Sequence, residues 1–147
     1  MKKAAAILLA ISVLFLVGCS DSDGDVKKPK ETAVTVTSGD CFEINKLHGE
    51  DGNEKFSYTV KTHDGKVIES AVCANEPKVK PLNDDLLGVR FYTATDSFVR
   101  YYDIKSGRAS ASYFGAFWDN GTLVAYNDFE KSEKLIVRDI FDDNGYR

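Results

Sequence analysis

The segment FSYTV, residues 56–60, alternates apolar and polar side chains at every position, and this alternation most constrains what the chain can fold into. Because successive side chains of a strand point to opposite faces, the pattern predicts a strand that is buried on one face. Asp64-Gly65 follows and tolerates the positive φ of a tight turn. A second apolar run then ends at Cys73, so we predict a β-hairpin over residues 56–73.

The chain after residue 33 repeats this combination of short strand-like runs and turn residues. Turns are predicted at 104–108 and 119–121, and no window of a dozen residues places apolar side chains at helical spacing. We predict an all-β domain, an antiparallel sandwich or open barrel of roughly seven to nine strands built from sequential hairpins. A propeller-like fragment is the alternative, because Asp-Ile recurs at Asp103 and Asp139 and blades repeat about every 40 residues.

The beginning of the chain has the pattern of a secretory signal. The basic start Met1–Lys3 is followed by an apolar run that is shorter than the roughly 20 residues of a membrane-spanning helix. The run ends in Leu16–Cys19 (LVGC), which resembles the lipobox of bacterial lipoproteins. The resemblance implies that Cys19 receives a diacylglycerol and that the chain is cleaved before it.

The same resemblance implies how the chain is organised and where it resides. Residues 1–18 would be a signal peptide, residues 19–32 the lipidated cysteine and a flexible polar tether, and residues 33–147 a single β domain. Acylated Cys19 would hold the domain on a lipid bilayer of the cell envelope. Ser20 after the cysteine favours the outer membrane, facing the periplasm, in a Gram-negative host.

The charge of the chain argues against nucleic acid as a partner. The 147 residues carry 19 basic and 23 acidic side chains, and loss of Lys2 and Lys3 with the signal changes the net charge from −4 to −6. Nucleic-acid binding requires basic patches, so we predict no nucleic-acid partner. An acidic surface is compatible with a basic protein partner, which it would attract by electrostatic steering.

Two further cysteines, Cys41 and Cys73, follow the tether. Exported proteins fold in an oxidising compartment, so we predict that these two form a disulfide. The alternative is a metal site that combines them with His48 or His63. Zinc-binding cysteines usually lie about two to four positions apart, and these do not, so we predict no metal site.

The sequence contains no recognisable catalytic motif. His48 and His63 are predicted in exposed polar turns, and a general base needs a nucleophile beside it. No serine lies in a Gly-x-Ser-x-Gly elbow, and neither cysteine is expected to be free. The adjacent Asp84-Asp85 is predicted to cap a turn, since neighbours on a strand point to opposite faces. We therefore predict that the protein is not an enzyme and needs no cofactor.

Aromatic side chains concentrate between residues 91 and 118. Adjacent pairs such as Tyr101-Tyr102 must divide between the two faces of a regular strand, so some rings lie outside the first core or in a second interface. Tyrosine and tryptophan are favoured contact residues. We predict partner binding by Tyr101, Tyr102, Tyr113 and Trp118, with Trp118 as the main anchor; the alternative is that these rings complete a core.

Together these features predict a membrane-anchored envelope lipoprotein whose β domain binds or inhibits a protein partner. Lysozyme-inhibiting lipoproteins and immunity lipoproteins are similar in size, anchoring and β-rich build. A structural or assembly role in the envelope is the alternative, because such a role needs no pocket. An enzyme acting on cell-wall glycan or lipid fits the sequence least.

Overall fold

The computed structural model describes residues 32–49, 52–128 and 134–142, and these ranges contain strands and turns but no helix. The predicted signal peptide, Cys19 and the tether up to residue 31 lie outside the described residues. The strands in chain order are β1 Thr32–Gly39, β2 Phe42–His48, β3 Glu54–Lys61, β4 Val67–Cys73, β5 Lys78–Asn83, β6 Leu86–Tyr92, β7 Ser97–Asp103, β8 Arg108–Ala109, β9 Tyr113–Phe114, β10 Trp118–Asp119, β11 Leu123–Asp128 and β12 Lys134–Asp139.

The described strands pair antiparallel and form three sheets. Sheet A has the order β1-β2-β3-β4, sheet B has the order β5-β6-β7-β8 with β9 also paired to β7, and sheet C has the order β10-β11-β12. Within each sheet, strands that are consecutive in sequence are neighbours in space, as is usual for hairpin connections, except that β9 pairs with β7. The prediction of an all-β domain built from sequential hairpins is confirmed.

The predicted hairpin over residues 56–73 is formed by β3 and β4, in which Phe56 pairs with Cys73 at the open end. Its turn contains Gly65 at a φ of 84°, a left-handed conformation that a side chain disfavours. The two other predicted turns are also present, and each contains a glycine of positive φ, Gly107 and Gly121. In these three turns, a glycine that adopts a positive φ therefore allows the chain to reverse direction.

Sheet B is the middle layer of the domain, because both faces of its strand β7 are covered. Along β7, Phe98 and Tyr102 face sheet A, whereas Val99 and Tyr101 face sheet C. Tyr101 and Tyr102 each have 0% of their surface exposed. A strand that is buried on both faces carries large apolar side chains at consecutive positions, and β7 does so.

Two hydrophobic cores result from this layering. The core between sheets A and B contains Cys41, Ile44, Tyr58, Val60, Leu87, Val89, Phe91, Tyr102 and Ile104. The core between sheets B and C contains Leu86, Val99, Tyr101, Tyr113, Ala116, Val124 and Ile140. Aromatic rings are in contact across the first core, where the Phe91 ring lies 4.9 Å from both the Tyr58 and Phe98 rings between centroids.

A carboxylate, Glu69 of β4, lies at the border of the core between sheets A and B. Its Oε1 accepts hydrogen bonds from the Tyr58 hydroxyl at 2.7 Å and the Arg100 guanidinium at 2.8 Å, and its Oε2 accepts one from the Tyr102 hydroxyl at 3.1 Å. Burial and the bond to Glu69 raise the pKa of Tyr58 to about 12, so this hydroxyl remains a donor at neutral pH. The cluster provides partners for polar groups that sheet packing removes from water.

The predicted Cys41–Cys73 disulfide is wrong in this structure, because both thiols are free. Strand β2 runs antiparallel to β3, so Cys41, just before β2, lies beside Lys61 at the end of β3; the Lys61 N–H donates to the Cys41 carbonyl at 2.8 Å. Cys73 pairs with Phe56, five residues away along β3. That separation is about 16 Å at about 3.3 Å per residue, whereas bridged cysteines have Cα atoms within about 7 Å.

Replacement of Glu69 by alanine is expected to lower the free energy of unfolding by about 3 kcal/mol, because it leaves Arg100 and two tyrosine hydroxyls without their acceptor. Urea unfolding of a variant that lacks residues 1–19 measures this change. Glu54→Ala is the control, since Glu54 pairs with Lys46 on the exposed surface and solvent screens that pair. Equal effects of the two substitutions would contradict the structural role of Glu69.

Both thiols are expected to stay reduced in the purified protein, because they are too far apart to bridge and because burial raises the pKa of each. Denaturation in the presence of N-ethylmaleimide, followed by peptide mass spectrometry, should find one adduct on Cys41 and one on Cys73. A disulfide-linked pair of peptides containing these two residues would contradict the strand register described above.

Candidate functional site

Four hairpin turns meet at one end of sheets A and B. They are the connections β1–β2, β3–β4, β5–β6 and β7–β8, at residues 40–41, 62–66, 84–85 and 104–107. Backbone hydrogen bonds join them: the His63 N–H donates to the Ile104 carbonyl at 3.1 Å, and the Ile104 N–H donates to the Asp85 carbonyl at 2.9 Å. Residues that are distant in sequence are therefore held side by side at this end of the domain.

Cys41, His63 and Asp85, which we call the thiol triad, form a chain of contacts across these turns. Cys41 Sγ lies 3.6 Å from His63 Nδ1, and His63 Nε2 lies 3.1 Å from Asp85 Oδ1. When Nε2–H of the neutral ring donates a hydrogen bond to the Asp85 carboxylate, Nδ1 is an acceptor that faces the thiol. A possible nucleophile, Cys41, therefore contacts a possible base, His63, and the base contacts a carboxylate that can orient it, which is the arrangement that nucleophilic catalysis requires.

The backbone around the triad is held by local hydrogen bonds. The Thr62 N–H donates to the Lys66 carbonyl at 2.8 Å and closes the turn that carries His63. The Asp85 N–H donates to Asn83 Oδ1 at 2.9 Å, which fixes the β5–β6 turn. The prediction that Asp84-Asp85 lies in a turn is confirmed, and the turn delivers Asp85 to the His63 ring.

A cavity of about 320 Å³ opens beside the thiol triad, and both Cys41 and His63 line it. Apolar side chains form much of its wall, namely Phe42, Pro81, Leu87 and Ile104. Burial, and next to it the carboxylate of Asp40, raise the pKa of the Cys41 thiol. The thiol is therefore protonated at neutral pH and needs a base in order to react as a nucleophile.

A second candidate surface is the outer face of sheet C. Trp118 pairs with Ala125, and Ala125 pairs with Val137, so these three side chains share one face of the sheet. The alternate residues, such as Val124, point into the core, which places Trp118, Val137 and Leu135 on the outside. We call these three residues the outer patch; Trp118 is 47%, Val137 43% and Leu135 61% exposed.

The predicted contact residues Tyr101, Tyr102 and Tyr113 are core residues, and their assignment to partner binding is wrong. Each has 2% or less of its surface exposed. The Tyr101 hydroxyl donates to Asp119 at 3.3 Å and the Tyr113 hydroxyl donates to the Ile140 carbonyl at 2.6 Å, so their polar ends have partners inside the domain. Of the four predicted contact residues, Trp118 alone is exposed.

A groove of about 310 Å³ runs along β5 and β6 and contains three cationic side chains. Each of them has a contact within the protein. The Lys78 ammonium lies 5.6 Å from the centre of the Tyr92 ring, Lys80 lies 3.4 Å from an Asp119 oxygen, and Arg90 donates to the Ser97 hydroxyl at 3.2 Å. Each of the three cationic side chains therefore has a partner within the protein.

Sequence reasoning missed the thiol triad because it treated Cys41 as half of a disulfide. His63 was expected to lie in an exposed turn, and it does, with its side chain 51% exposed. The signal that could have revealed the site is the alternation of Phe42 and Ile44, which indicates a strand just after Cys41, and this strand pairs with β3. Antiparallel pairing then brings Cys41 to the turn that contains His63.

Within the described residues, no group of three or more histidine, cysteine, aspartate or glutamate side chains is arranged to hold a metal ion. The same residues include no helix long and apolar enough to cross a membrane.

Comparison of the chain with protein-family models, with curated proteins and with solved structures finds no significant match.

Proposed function

We propose that this chain is a lipoprotein of the bacterial cell envelope, anchored in a lipid bilayer through acylated Cys19, whose β domain binds a protein partner. The lipobox-like segment Leu16–Cys19 supports the anchor. The outer patch supports the binding role, and the exposure of Trp118 on a regular sheet face is the observation that carries it.

The outer patch has the composition and rigidity of a protein contact surface. Trp118 lies in one row with Ala125 and Val137, and Leu135 lies two residues before Val137 on the same strand. A tryptophan surrounded by aliphatic side chains is a frequent hot spot, since it buries much apolar area for few rotatable bonds. Antiparallel pairing already orders these residues, which lowers the entropy lost on binding.

Charge favours a basic partner. The chain after the predicted cleavage has a net charge of −6, so its field would attract a positively charged protein and speed the encounter. A tethered domain that covers the surface of a protein entering the envelope would inhibit it without turnover. This is the mode of action of lysozyme inhibitors and immunity proteins, and it is the role we favour over an assembly role.

Replacement of Trp118 by alanine is expected to weaken partner binding by about 30-fold or more, corresponding to about 2 kcal/mol for the loss of a central aromatic contact. The measurement is capture of crosslinked partners on the tagged full-length protein, followed by titration of the captured protein against both forms.

Val72→Ala is the matched control, because Val72 is 58% exposed on sheet A, away from the outer patch. One stoichiometric partner that is lost with Trp118→Ala and retained with Val72→Ala would support the proposal. Retention only within a large membrane assembly would assign the alternative, structural role. Equal capture by the two variants would exclude the outer patch as the contact surface.

Replacement of Cys19 by alanine is expected to abolish lipid attachment and release the protein from the membrane fraction, because several acyl chains supply the anchor. Metabolic labelling with a palmitate analogue and cell fractionation measure both effects. Cys73→Ala is the control and should leave the label in place. Persistence of the label in Cys19→Ala would contradict the proposed anchor.

A further inference from the structure

The thiol triad and its cavity are separate from the outer patch, and the binding role proposed above uses neither. The triad joins three different hairpin turns, and the members are 22 residues apart in sequence at each step. Cys41 is 5% exposed but lines a cavity that opens to solvent, so a ligand in the cavity would lie against this residue. His63 has its ring against the thiol on one side and a carboxylate on the other.

We propose that the thiol triad is an acyl-transfer site, in which Cys41 attacks the carbonyl carbon of an ester or thioester that has an uncharged apolar acyl group. The geometry meets the requirement that nucleophile and base lie together and that a third group orients the base. Cys41 and His63 are the catalytic residues, and Asp85 is a positioning residue because it acts through the His63 ring.

The lining residues, volume and charge of the cavity indicate which acyl group it can accept. Phe42, Pro81, Leu87 and Ile104 offer apolar contact along its wall. A volume of about 320 Å³ is at the lower end of small-molecule sites and suits a short acyl chain. Asp40 and Asp84 also line the cavity, and their carboxylates would repel a negatively charged acyl donor.

The reaction is balanced without any redox partner. As the Cys41 sulfur forms a bond to the carbonyl carbon, the thiol proton moves to His63 Nδ1. The tetrahedral intermediate then breaks its bond to the leaving oxygen or sulfur, which departs with the proton from His63. Water attacks the resulting thioester with His63 again taking and returning a proton, so that the carboxylic acid leaves and the Cys41 thiol is restored.

The raised pKa of the Cys41 thiol is consistent with Cys41 as the nucleophile and His63 as the base that takes its proton. Burial raises it, so Cys41 does not react as a free thiolate at neutral pH, and the step depends on His63 as the base. The second cysteine provides an internal comparison. Burial also raises the pKa of Cys73, but its Sγ contacts the backbone carbonyls of Phe56 and Asn75 instead of a side-chain base.

The test uses the full-length protein in detergent with p-nitrophenyl butyrate as the acyl donor. Release of p-nitrophenolate measures the rate, and mass spectrometry of peptides locates the butyryl group. We expect an adduct on the peptide that contains Cys41 and loss of activity in Cys41→Ser. Cys73→Ser is the control and should react at the rate of the parent protein.

Two further substitutions separate catalysis from folding. His63→Ala is expected to lower the acylation rate by about 100-fold or more, the contribution of a general base, with little change in thermal stability because the ring is half exposed. Asp85→Ala is expected to lower the rate by about 10-fold or more, and Asp85→Asn to leave it low as well, because an amide N–H can donate to Nε2 and then favours the tautomer whose Nδ1 already carries the proton. Both variants should melt like the parent, whereas a purely structural role for Asp85 would lower the rate only together with the melting temperature.

The proposal is overturned by any of three results. The first is a folded protein that forms no butyryl adduct on Cys41 and releases p-nitrophenolate no faster than Cys41→Ser. The second is acylation of Cys41 and Cys73 at equal rates, which would indicate ordinary thiol reactivity. The third is an unchanged rate in His63→Ala. None of these results bears on the outer patch, so the binding role is tested independently by the Trp118→Ala experiment. A positive result would revise the prediction that the chain is not an enzyme.

Discussion

Tyr101 and Tyr102 are neighbours on β7 and are both fully buried, because sheets A and C cover opposite faces of sheet B. The other features of the domain depend on this two-sided burial. Each tyrosine contributes a large apolar ring to a different core and a hydroxyl that must find an acceptor inside the protein. Tyr102 finds it in Glu69 of sheet A, and Tyr101 finds it in Asp119 of sheet C. One strand thus connects all three layers by packing and by hydrogen bonds.

The acceptors of these hydroxyls also fix how the outer sheets sit on the middle one. Apolar contacts alone tolerate small shifts between sheets, whereas hydrogen bonds have a narrower range of distance and angle. Glu69 accepts from Tyr58 in its own sheet and from Arg100 and Tyr102 in sheet B, so it ties sheets A and B at one register. Burial raises the pKa of Tyr102 and of Tyr101, which keeps both hydroxyls protonated as donors.

The alignment of sheets A and B brings their hairpin turns to the same end, where the thiol triad lies. Loops on a rigid β frame are a common place for functional residues, because the frame supplies the precision that the loops lack. The outer patch depends on the layers in another way. Sheet C covers sheet B with one face, and in the described residues its other face carries Trp118, Leu135 and Val137 without a further layer above them. Two candidate sites of different chemistry therefore arise from one stacking arrangement.

Strands and turns could be predicted from the sequence because they depend on nearest neighbours. The alternation of residues 56–60, the Asp64-Gly65 turn and the glycine turns that follow are local properties, and the structure confirms them. The lipobox-like segment is local too, and it remains a prediction. Alternation correctly indicated that Tyr101 and Tyr102 point to opposite faces.

The tertiary structure decided which faces are covered and which residues meet. No local pattern shows that a third sheet covers the second face of β7, so Tyr101 and Tyr113 could not be told from surface rings. The positions of Cys41 and Cys73 depend on the direction and register of β2 against β3, which place the two thiols at opposite ends of sheet A and one of them against His63. Burial and long-range contacts depend on the packing of segments far apart in the chain, and that packing exists only once the sheets have assembled.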